Sequence, residues 1–72
     1  MGRLMTRFFF QANYLGVTVA EDIGETFPTL HDAEAHATIV ASELGRNTPY
    51  PVTVFVLSED GTVLASTAAG TE

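Results

Sequence analysis

From Thr29 to Leu44 the apolar residues fall at Leu30, Ala33, Ala37, Val40, Ala41 and Leu44, the three-and-four spacing that lines one stripe of an α-helix. Thr29 after Pro28 suits the N-cap, and Asp32 three residues on completes a capping-box spacing. Gly45 stands where a left-handed residue commonly closes a helix, and Pro49 and Pro51 forbid continuation. The helix should therefore run for about four turns. No other segment shows this period, so one amphipathic stripe must find its cover in strands.

Strand signals lie on both sides of it. Met5 to Ala12 is rich in Phe and reads as a first strand. Asn13-Tyr14-Leu15-Gly16 supplies a turn, and Val17 to Ala20 alternates as a short second strand. Glu21 to Phe27 reads as an acidic connection. Beyond the helix, Val52 to Ser58 is a third strand, Glu59-Asp60-Gly61 a hairpin turn and Thr62 to Thr67 a fourth. Two hairpins around one helix predict an α+β, two-layer ββαββ domain, a four-stranded antiparallel sheet with the helix on one face. A right-handed crossover, with the aromatic first strand placed centrally, gives the order 2-1-3-4. Residues 1–72 form a single domain in this reading, with 1–4 a short extension ahead of a natural start at Met5 and 68–72 a frayed tail.

At 72 residues, such a chain buries only about 60% of its unfolded surface. It contains no cysteine, so neither disulfides nor thiolate zinc frameworks can reinforce a small core. Good packing or self-association remains. Arg3, Arg7 and Arg46 are scattered against nine acidic residues, for a formal net charge of −6. No nucleic acid partner and no anionic membrane surface is expected on that balance. The pattern Gly2 to Thr6 formally fits N-myristoylation, but the simpler reading is the extension before Met5. With no signal peptide visible, the chain reads as cytoplasmic.

Arg7-Phe8-Phe9-Phe10, the Asp22-x-Gly24-Glu25-x-x-Pro28-x-Leu30 entrance, the alanine-rich helix and Glu59-Asp60-Gly61-x-Val63-Leu64 together resemble a family of very short alphaproteobacterial proteins, abundant in rhizobia, of unknown function. The resemblance runs from Met5 to about Thr67 and implies the ββαββ fold and no activity. The chain departs from that pattern at Tyr14-Leu15, where the family carries more polar residues, and in the third strand, where Phe55 and Leu57 take outward positions usually polar or charged.

Alternation along the strands sets the candidate surface. If Phe8, Phe10, Val54 and Val56 meet the helix, then Phe9, Phe55 and Leu57 lie on the opposite, open face. Each such residue is worth about 1.5–3 kcal/mol when fully buried. That face is therefore the expected interface of a homodimer or a protein partner. Chemistry is harder to find. His31 and His36 lie five apart and so do not share a helix face, although Asp32 precedes His36 by one turn; a metal or small-molecule regulator centred on His36 and Asp32 is the alternative reading. Glu21, Asp22 and Glu25 lack the alternation of a calcium loop and suit the helix dipole instead. Ile39 and Ala35 sit opposite the core stripe as a minor surface. Ser42, Ser58 and Ser66 have no histidine at a suggestive spacing, and no phosphate loop or nucleophile elbow is present. The sequence thus points to a non-catalytic protein, not an enzyme, with no catalytic, cofactor or metal residues assigned.

Overall fold

The computed structural model describes residues 5–20 and 23–69. In chain order the elements are β1 (Thr6–Tyr14), β2 (Val17–Ala20), β3 (Glu25–Phe27), α1 (Leu30–Asn47), β4 (Val52–Leu57) and β5 (Val63–Ala69). The fold is α+β, with one helix and an antiparallel sheet of five strands. The sheet runs β2-β1-β4-β5, and β3 pairs with β1 off that path.

The expected four strands and their 2-1-3-4 order are corrected by β3, which lies in the segment read as a connection. Its cause is the length of β1. That strand has nine residues and its hairpin partner β2 only four, so the backbone groups of Thr6 to Phe8 need another partner. The returning chain supplies it through Thr6↔Phe27, Arg7↔Thr26 and Phe8↔Glu25. Between the pairs Gln11↔Ala20 and Phe8↔Glu25, β1 spends Phe9 and Phe10 while the returning chain spends residues 21–24. Gly24, at φ +77°, precedes the resumed pairing at Glu25, and a Cβ on it would stand 2.8 Å from the Phe8 carbonyl oxygen and 3.0 Å from the Phe9 ring. Arg7 fastens the same corner, its Nη1 donating to the Ile23 carbonyl over 2.8 Å.

The helix starts as expected, with the Thr29 hydroxyl accepting from the Asp32 amide at 3.2 Å. It continues through Gly45 to Asn47 instead of stopping after Leu44. Termination falls to extended Thr48, whose hydroxyl donates to the Leu44 carbonyl at 3.1 Å, so no left-handed glycine is needed. Ala33, Ala37 and Ala41 are buried, and Val40 and Leu44 pack beside them. Leu30, in the opening turn ahead of Ala33, is exposed. The volume of the core comes from the sheet: Phe8, Phe10, Val52, Val54 and Val56. Alanines on the helix let it approach that surface closely.

β5 also exceeds its expected span. Ala68 and Ala69, placed in a frayed tail by sequence, pair with Thr53 and Val52, because β4 offers them backbone partners. The expected extension 1–4 and the remainder of the tail, 70–72, lie outside the described residues. The β4–β5 turn closes on Asp60, whose carboxylate accepts from the Ser58 hydroxyl and, at 3.0 Å, from the Thr62 amide. The Ser58 bond first, and the Thr62 bonds next, lower its pKa from the ordinary 3.8 to about 2. A depressed folded-state pKa means the turn's contribution is present above about pH 4 and fades as pH falls through about 2. Carboxyl titration by NMR should find the Asp60 midpoint near 2 and see it rise toward 3.8 in Ser58→Ala. A midpoint indifferent to that substitution would contradict the assignment.

Candidate functional site

A helix is about 10 Å across and strands are spaced about 4.8 Å apart, so one helix covers two strands. α1 lies chiefly over β4 and β5, and meets β1 and β3 through side chains at Phe10, Phe27 and Glu25. Phe8 and Phe10 of β1 are buried in the core with the helix alanines, but β2 and the end of β1 at residues 12–14 are left without a second layer. Ala12 and Tyr14 turn toward the core, and Val19 and Val17 stand directly across from them on β2, so all four share the helix side of the sheet. Val17 is 50% and Val19 51% exposed.

Between this hairpin and α1 runs an apolar groove of about 180 Å³, lined by Phe10, Ala12, Val19, His36, Val40 and Leu44 among others. Aromatic rings close one end. His36 packs against Phe10 with ring centroids 5.1 Å apart and against Phe27 at 5.4 Å, and its Nε2 lies 3.0 Å from Glu25 Oε1. At the hairpin tip Leu15 is exposed with φ +53°, followed by Gly16 at +73°. A two-residue turn of this kind wants positive φ at both positions. Leucine accepts it only at a conformational cost.

The sequence-derived candidates scatter around this groove. His36 is joined to Glu25 and not to Asp32, because β3 brings Glu25 up to the helix. His31 is exposed and lines a separate cleft with Glu34, Thr38 and the β5 residues Ala65, Ser66 and Thr67. No group of three potential ligands that could hold a metal occurs among the described residues. Glu21 and Asp22 lie outside those residues. Ser58 is engaged by Asp60, while Ser42 and Ser66 are exposed on separate elements. Ile39 and Ala35 are exposed on the outer side of α1.

Phe9, Phe55 and Leu57 lie on the sheet face away from the helix. Phe9 pairs across from Leu57, and Phe55 across from Gln11. All three are half-buried, Phe9 with its ring edge against Gly24. The pleat and its neighbours cover this surface more than alternation alone suggests. Sequence reasoning missed the groove, although a signal for it existed in the mismatch between one helix and four strands' width. No helix among the described residues is long and apolar enough to cross a membrane. Comparisons with protein-family models, with curated proteins and with solved structures return no match.

Proposed function

We propose that this chain is a non-catalytic protein-interaction module that receives an amphipathic helix of a partner protein in the groove beside α1. One observation carries the reading: β2 and the end of β1 at residues 12–14 lack the helical layer that covers the rest of the sheet's core-facing side. Where residues 12–14 pair with β2 the gap is two strands wide, about 10 Å, which is one helix diameter. Its lining is apolar, as helix-in-groove recognition requires. Asp32 and Glu43 fall on the flank of α1 beside His36 and Val40, and Glu25 stands at the ring-closed end. With a chain charge of −6, the complementary helix carries basic residues along its edges. A second copy's α1 fits poorly, since its outer side offers only Ile39 and Ala35 as apolar residues.

The test uses three synthetic peptides of 18 residues: a leucine-faced helix with lysine flanks, the same face with glutamate flanks, and a scrambled sequence. Amide shift changes in the labelled chain should map to Val19, Val40 and Leu44. The lysine peptide should bind at least tenfold more tightly than the glutamate one, and Val19→Glu should weaken it about tenfold. Equal binding of the scrambled peptide, or changes confined to the face of Phe9, Phe55 and Leu57, would overturn the proposal.

A further inference from the structure

At the far side of the sheet from the groove, β5 is the terminal strand of the order β2-β1-β4-β5, and no strand pairs its outer edge among the described residues. An unpaired edge is a template for another strand, and proteins usually blunt it with proline, lysine, a bulge or brevity. The opposite edge is blunted by brevity, since β2 has four residues and β3 three. β5 has seven, Val63-Leu64-Ala65-Ser66-Thr67-Ala68-Ala69, without proline or charge. Its one irregularity sits near its start, opposite Val56 and Leu57, and leaves Ala65 to Ala69 regular.

We infer that β5 pairs antiparallel with β5 of a second copy, forming a two-fold dimer with one continuous sheet. Three features select a second copy over an unrelated strand. An antiparallel pair of identical strands is self-complementary, and a register centred on Ser66 sets Ala65 against Thr67 and Leu64 against Ala68, with no like charges opposed. In a chain of net charge −6, a charge-free edge is the place where two copies meet without repulsion.

The third feature is the position of α1. Across the two-fold, β5 would lie about 2.4 Å from the axis and β4 about 7.2 Å. A helix seated over both is then about 4.8 Å from the axis, and the two helices are about 9.6 Å apart, within the 8–10 Å at which helices pack. The flank of α1 turned toward β5 is small from its middle onward: Thr38, Ser42 and Gly45 share it, Ala35 stands at its outer rim, and the Thr38 hydroxyl reaches Thr67 at 3.5 Å. Glu34 and His31 stand at the helix's N-terminal part, and in an antiparallel helix pair they would face the partner's C-terminal half. The cleft of about 340 Å³ between α1 and β5 becomes the seam of the dimer.

The strip is short, about 23 Å of strand, which places the complex at the weak end of specific interfaces. Light scattering over a dilution series should give a dimer with a dissociation constant in the micromolar range. Ser66→Lys and Ser66→Glu should each weaken it at least tenfold, since each charge would face its own copy, and mixing the two variants should restore a heterodimer. Amide exchange provides a check independent of substitution: protection of residues 64–68 should rise with protein concentration. A monomer at high micromolar concentration, a dimer indifferent to both charges, or variants whose mixture stays monomeric would overturn the inference. Val19→Glu should leave the dimer intact, so failure of the groove reading and failure of this one are separable.

Discussion

Phe10→Ala is expected to lower the stability of the fold by about two to three times as much as Phe9→Ala. Phe10 is 7% exposed and its ring meets Phe27 edge-on at 6.1 Å and His36 at 5.1 Å. Removing such a ring costs about 3–5 kcal/mol. A chain of this length has a total stability of about 4–11 kcal/mol, so the loss is a large part of the whole. Phe9, half-buried on the other face, should cost about 1–2 kcal/mol when truncated, because much of its area is already in water. Urea unfolding of the two variants measures the difference. A larger loss at Phe9 than at Phe10 would reverse the orientation of β1.

Gly24→Ala should be the most damaging single-methyl change, at about 2–5 kcal/mol. A left-handed backbone costs a non-glycine residue about 1–2 kcal/mol, and the added carbon would meet the Phe8 carbonyl oxygen at 2.8 Å. That oxygen belongs to the backbone that β3 pairs with, so relief requires separating β3 from β1, a strain of about 1–3 kcal/mol. Gly16→Ala is the control. Its φ of +73° is similar but nothing lies within 4 Å of the new carbon, so only the conformational part should be lost. In a domain of this size 1 kcal/mol moves the melting temperature by about 4–8 °C, and Gly24→Ala should fall at least twice as far as Gly16→Ala. Equal shifts would mean that the corner at Ile23 and Gly24 gives way freely.

What sequence makes legible here is periodicity. Three consecutive phenylalanines in a strand must alternate, and Phe8 and Phe10 are buried while Phe9 is not. The alanine stripe of the helix and the residues that cap its start follow from the same local logic. What escapes is any element defined by an overhang. Glu25-Thr26-Phe27 has no strand pattern of its own and becomes β3 only because β1 outruns β2. Ala68 and Ala69 are strand because β4 has places for them. The groove belongs to the same class, since it arises from where α1 sits on the sheet, and His36 meets Glu25 only through the unforeseen strand. The face of Phe9, Phe55 and Leu57 is correctly turned away from the helix in the sequence reading, yet its half-burial depends on Gly24 and on neighbouring strands.

The central claim is that β1 sends the outer two of its three rings under α1 and the middle one away. Nuclear Overhauser contacts in the labelled chain address it directly. Cross-peaks between the rings of Phe10 and His36, whose centroids lie 5.1 Å apart, with none from Phe9 to any residue of α1, are the predicted result. Cross-peaks from Phe9 to the buried alanines Ala33 or Ala37, with Phe10 silent, would contradict it.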